Sequence, residues 1–139
     1  MNIEITRNDL ESMYPKMRRA LERAHDLLGL EVWGNLRKFS PQNHGRLAGS
    51  WKLEKRSRLL SVVGTSVKYA LAQNYGLDPF TIYPRRKKAL RFVMNGKVIF
   101  AKRVNHPGIK AKYYIEKSID EAEKRYDDFI DKALKEEGL

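Results

Sequence analysis

The alternation of apolar and polar positions divides the chain into two helical stretches that enclose a region of short extended runs. Met17, Leu21, Ala24, Leu28, Val32 and Leu36 recur every three or four residues, with Arg18, Arg19, Glu22, Arg23 and Asp26 between them. That spacing gathers the apolar groups on one face and predicts an amphipathic helix over 15–38. Asn8 or Asp9 could cap an earlier start, but proline suits a first turn, so Pro15 is expected to interrupt or restart the helix. Gly29 and Gly34 each lower helix propensity by about 1 kcal/mol, which predicts a bend or break near Gly29. A second stripe, Ile115, Ile119, Ala122, Tyr126, Phe129, Ile130 and Ala133, predicts a helix over 113–135.

Between these helices the period shortens to two. Residues 39–49 carry the Ser, Pro, Asn and Gly punctuation of a loop. A strand pair is expected over 50–65, reversing in a two-residue turn at Ser57-Arg58 that sets Leu53 opposite Val62 and puts Trp51, Leu53, Leu60 and Val62 on one buried face. A short helix over 67–75 ends at Gly76, and a brief strand over 80–83 ends at Pro84. The clearest signal is Asn95-Gly96 between two alternating runs, which predicts a β-hairpin over 89–104 with a two-residue turn. That turn pairs Val93 with Val98, Phe92 with Ile99, Arg91 with Phe100 and Leu90 with Ala101. One face then holds Leu90, Phe92, Met94, Ile99 and Ala101 as core. The other holds Arg91, Val93, Val98, Phe100 and Lys102, a mixture suited to a partner's surface. His106-Pro107-Gly108 is a further reversal. The expected architecture is α+β, one domain over 1–139, in which an antiparallel sheet of about four to five strands packs against long N- and C-terminal helices and a basic β-hairpin protrudes.

Charge sharpens this picture. The formal net charge is +11. Between Asp78 and Glu116 there is no acidic residue and there are 10 basic ones, whereas residues 1–78 carry 13 basic and 8 acidic groups and residues 116–139 carry 5 and 9. A field concentrated this way repels itself and points to an anionic partner, either nucleic acid or an acidic protein surface.

Candidate chemistry is sparse. With no cysteine, disulfides and thiolate metal sites are excluded, and a reducing compartment is expected. His25, His44 and His106 lack metal-ligand spacing, so no metal and no cofactor is expected. Gly45-Arg46-Leu47-Ala48-Gly49 lacks the phosphate-loop pattern, and a strand is expected after it. Asp127, Asp128 and Asp131 read as a solvated helix face. An enzyme is therefore not expected; a hydrolase hidden in the fold would have to use His44 or His106. No run reaches the roughly 20 apolar residues of a membrane span, and the first residues lack a signal-peptide core.

Several blocks in order resemble a known family. These are Ser40 to Ser50 (SPQNHGRLAGS), Val63 to Ala70 (VGTSVKYA) with Asn74-Tyr75-Gly76, Ile82 to Phe92 (IYPRRKKALRF), and Val104 to Ala111 (VNHPGIKA). Together they resemble the tail-completion proteins of long-tailed bacteriophages and prophages, also described as head-to-tail joining, neck or minor tail proteins. The chain departs from that pattern at Asn43-His44, Gln73-Asn74 and Tyr113-Tyr114. The resemblance implies a non-enzymatic virion protein, assembled in the host cytoplasm. It would form a ring with itself, expected to be hexameric, that caps the tail tube protein and docks to the head connector. On this reading Arg85, Arg86, Lys87, Lys88, Arg91, Phe100, Lys102 and Arg103 contact acidic connector or tail surfaces, with DNA in the channel as the secondary target. Gly45, Arg46, Gly64, Tyr69, Gly76, Pro107 and Gly108 preserve turns and subunit packing. A basic nucleic-acid-binding module is the competing class, although the hairpin offers no aromatic pair for base stacking.

Overall fold

The computed structural model of the chain describes residues 2, 4, 6–42 and 45–139. His44 and Asn43, named above, lie outside the described residues. The mixed α+β class holds, with a long N-terminal helix and small antiparallel sheets. The expected single sheet does not form among the described residues, where six strands pair as three two-stranded ladders. Contacts gather into two compact units, Met1–Val67 with Tyr114–Leu139, and Lys68–Tyr113.

The first unit is built on α1 (Arg7–Phe39), which starts well before the expected residue 15. Thr6 is its N-cap, and Thr6 and Asp9 form a reciprocal capping box: the Asp9 amide donates to the Thr6 hydroxyl (3.3 Å) and the Thr6 amide donates to the Asp9 carboxylate (2.9 Å). These bonds satisfy orphan donors of the first turn, so the helix nucleates ahead of Pro15 and carries the proline inside it. Nor does α1 break at Gly29. The bare Cα there instead faces the strand pair, where an added Cβ would lie 3.6 Å from Leu53 Cδ1.

That pair is β1 (Lys52–Ser57) and β2 (Leu60–Gly64), and its register differs from expectation by one residue. Arg58 and Leu59 form the turn, and an irregularity between Lys55 and Ser57 inserts an unpaired residue, so Leu53 lies opposite Val63 rather than Val62. A slip of one exchanges the faces of a strand. Leu60 is therefore exposed instead of buried. Lys55 and Ser61 face α1, where Lys55 Nζ reaches Glu22 and Asp26 (3.0 Å each) and Ser61 Oγ meets His25 Nε2 (3.1 Å). The segment expected as a loop over 39–49 contains a short helix, α2 (Arg46–Ser50), whose Leu47 and Ala48 are buried.

The C-terminal stretch is two helices rather than one: α4 (Tyr114–Glu123) and α5 (Tyr126–Glu136). At the break the Arg125 amide donates to Ala122 O (3.0 Å), a tightened turn, while its guanidinium pairs with Glu31 on α1 (2.9 Å). Ala20 and Ala24 pack against Phe129 and Ala133 of α5, with Leu27, Leu28, Ile130 and Leu134 around them. Small residues on two facing helices let the axes approach and leave room for the Phe129 ring.

A polar knot closes the other end of α1. Ser40 caps the helix, donating its hydroxyl to Leu36 O, and accepts from the Trp51 indole (2.8 Å). Trp33 Nε1 donates to Trp51 O (2.9 Å), and the Trp51 ring meets Tyr114 edge-on at 6.3 Å. Asn35 Nδ2 donates to Ser118 O (3.0 Å).

The second unit holds α3 (Ala70–Tyr75), β3 (Phe80–Ile82), β4 (Leu90–Met94), β5 (Lys97–Ala101) and β6 (Val104–His106). Its two ladders are nested. β3 pairs with β6 at the base, and β4 pairs with β5 beyond them in the register expected from the sequence. Asn95 and Gly96 take φ of 52° and 76°, the primed turn that a two-residue hairpin needs. Below β3, Leu77 and Ile109 exchange two backbone bonds (2.9 Å each), and a Cβ at Gly76 would approach Ile109 O at 2.7 Å.

Two consequences are measurable. Burial and the nearby Glu116 push the Tyr114 hydroxyl up to about 12, from an ordinary 10. The folded chain keeps this proton after the unfolded chain has lost it, so the contribution is fully present below about pH 10 and is lost as pH rises toward 12. Urea unfolding over that window should show a fall that is about 1–2.5 kcal/mol smaller in Tyr114→Phe than in the parent, because Lys55 and Lys124, whose partners raise them, contribute in the same direction in both. Gly76→Ala and Gly108→Ala combine positive φ with a Cβ pressed on backbone atoms. Each should lower stability by about 2 kcal/mol or more in the same assay, while Gly64→Ala, with open space around it, should change it by less than about 0.5 kcal/mol.

Candidate docking surface on the basic ribbon

The nested ladders explain where the expected partner-binding residues stand. On the way out, residues 83–89 connect β3 to β4; on the way back only Lys102 and Arg103 connect β5 to β6. The longer connection is a run of bends that carries Arg85, Arg86, Lys87 and Lys88, all exposed. Proline at 84 removes a ladder donor at the point where pairing stops. The structure therefore brings this cationic loop, the short Lys102-Arg103 joint and the tip hairpin into one ribbon.

On the hairpin, Arg91 lies opposite Phe100 and Val93 opposite Val98. This face is open: Phe100 is 67% exposed and Val93 62%. The reverse face is partly covered at Leu90, Phe92, Ile99 and Ala101, but Met94 is exposed instead of core. The pairing itself could have shown this, because Met94 shares its face with Lys97 at the tip. Tyr83, also exposed, is the residue the sequence reading left out of the ribbon's surface.

Electrostatics separate the ribbon from the rest of the chain. Elsewhere cations find acids: Arg19 with Glu137 (3.0 Å), Arg23 with Glu136 (3.5 Å), Lys55 with Glu22 and Asp26, and Arg125 with Glu31. Among the described residues, no ion pair or cation–π contact involves any of the ten basic residues between Asp78 and Glu116.

The residues expected to preserve turns divide. Gly76 and Gly108 adopt positive φ against crowding backbone. Gly45 is the N-cap of α2 at φ 68°, with open space around it. Gly64 closes β2 without either constraint. Tyr69 is the N-cap of α3 and Arg46 stands exposed in α2. Pro107 sits in a turn organised by His106, whose ring stacks on Phe80 at 4.7 Å and whose Nδ1 accepts from the Gly108 amide (3.0 Å).

His25 and His106 are thus both engaged in packing or turn contacts. Among the described residues no group of His, Asp or Glu could hold a metal ion, and no helix is long and apolar enough to cross a membrane. No family model, curated protein or solved structure gives a significant match to this chain.

Because none of the loop's cations has an ion pair or cation–π contact among the described residues, removing their charge should not harm the fold. Replacing Arg85, Arg86, Lys87 and Lys88 together with Gln should leave the unfolding midpoint unchanged or slightly raised, within about 0.5 kcal/mol, as measured by thermal denaturation at low salt.

Proposed function

We propose that this chain is a structural virion protein that completes a phage tail and joins it to the head connector, acting as a subunit of a ring, expected to be hexameric. One observation carries the reading: the ribbon presents unneutralised cations interleaved with exposed Val93, Val98 and Phe100, and both features are resolved only by a covering partner. The resemblance of the Ser40–Ser50, Val63–Ala70, Ile82–Phe92 and Val104–Ala111 blocks supplies the class of partner, namely acidic surfaces of the tail tube and connector. The role needs no cofactor and no catalysis, only a rigid base and an exposed grip.

Nucleic acid is the other anion that such a ribbon could meet. A phosphate-tracking surface needs cations at backbone spacing and stacking platforms for bases. Here the exposed aliphatic pair Val93 and Val98 takes the centre of the open face, which favours a protein surface.

The experiment is in vitro joining of purified tail tubes to filled capsids. Reversing Arg85, Arg86, Lys87 and Lys88 to Glu should reduce joined particles at least about tenfold, equivalent to about 1.4 kcal/mol of docking energy. Joining at the wild-type rate by that variant would remove the ribbon from the mechanism. Tight binding of random duplex DNA with a steep salt slope, without joining, would transfer the assignment to nucleic acid.

A further inference from the structure

We infer that the first half of α1 is a homotypic pairing surface on which two copies of this chain lie antiparallel. The stripe Leu10, Tyr14, Met17 and Leu21 advances by steps of four, three and four, the seam of a helix that packs on another helix. It runs on without a change of phase into Ala24 and Leu28, which are part of the α1–α5 core. α5 ends at Glu136, close to where Arg23 pairs with Glu136 and Arg19 with Glu137. Beyond that point the same stripe continues uncovered: Leu10 is 59% exposed and Tyr14 65%. An intramolecular interface thus extends past its own partner helix.

Helix physics makes this extension costly when alone. Three turns with an internal proline and no packed face lie below the length at which an isolated helix holds itself together. A second helix laid along the stripe supplies what is missing.

The occupant and its direction follow from charge. The start of the segment carries Asp9 and Glu11 against a single Arg7, and its far end carries Lys16 and Arg18, with Arg19 already paired to Glu137. Neither Lys16 nor Arg18 has an ion pair among the described residues; Arg18 lies over the Tyr14 ring, 5.9 Å from its centre. Glu11 is held only by Arg7 in an exposed pair at 2.7 Å, which is readily exchanged. A second copy laid antiparallel sets each acidic end against the other's basic end, whereas a parallel copy stacks like on like. The pairing is two-fold and closes on itself. It does not rest on the tail-joining reading and describes the free protein before any assembly.

The full chain has no cysteine, so single introduced thiols report position without interference. Leu10→Cys mixed with Leu21→Cys should form a disulfide dimer, whereas Leu10→Cys alone should not. Sedimentation velocity should show a concentration-dependent dimer of the parent chain. Met17→Glu, at an exposed site, should weaken it at least about tenfold with unchanged helicity by circular dichroism. A parent that stays monomeric into the submillimolar range, a Met17→Glu variant that pairs as tightly as the parent, or self-crosslinking of Leu10→Cys would each overturn the proposal.

Discussion

The donation from the Trp51 indole to Ser40 decides where the long helix gives way to the strand pair, and the first unit is assembled around it. Ser40 is buried and acts twice, closing the last turn of α1 through Leu36 O and receiving Trp51. The Trp51 carbonyl in turn receives the Trp33 indole, so the last two turns of α1 and its cap grip both sides of the residue just ahead of β1. Tyr114 packs on the same ring, and Asn35 ties the next helical position to Ser118 of α4. A core this small cannot rely on apolar area alone, and buried donors left without acceptors would cost about 1–3 kcal/mol each. The pattern of bonds therefore does more than add stability: it permits one register of helix, turn and strand and penalises the alternatives.

The second unit is held differently. Its hairpin contributes no fully buried residue, so its shape comes from backbone constraint: a primed turn at Asn95-Gly96, nested ladders, and glycines at 76 and 108 that allow chain segments to touch where a Cβ would not fit. Such a ribbon keeps its form without a dense interior. Its side chains are released from packing duty, which leaves them available for contact outside the chain.

What the sequence made legible follows the same division. The hairpin register was readable because turn chemistry and strand alternation agree on it, and local agreement is sufficient for a two-residue turn. The β1–β2 register was not, because the bulge between Lys55 and Ser57 and the Arg58-Leu59 turn carry no Gly or Asn signal. The early start of α1 was masked by Pro15, which stands inside the helix that the Thr6–Asp9 capping box begins. The break at Arg125 has no glycine or proline to announce it; it shows only in the tightened turn at Ala122 and in the pair that Arg125 makes with Glu31 on α1. For the candidate surface, location and charge were legible by composition alone. The cationic loop's separation from the ladders was not, since it depends on β3 pairing with β6 across more than twenty residues.

Placement of charge within the ribbon carries the strongest argument about its purpose. An acid opposite a cation on paired strands stabilises a hairpin by about 0.2–1 kcal/mol and needs only one substitution. Elsewhere the chain sets acids beside cations between elements, with Lys55 alone engaging two carboxylates from α1. On the hairpin it places Phe100 opposite Arg91 and Met94 opposite Lys97, and it excludes acids from the whole segment. Stability gains that are easily available have been passed over at several positions at once. A surface kept both cationic and apolar in this way is less stable alone than it need be, a deficit that the docking proposed above would offset.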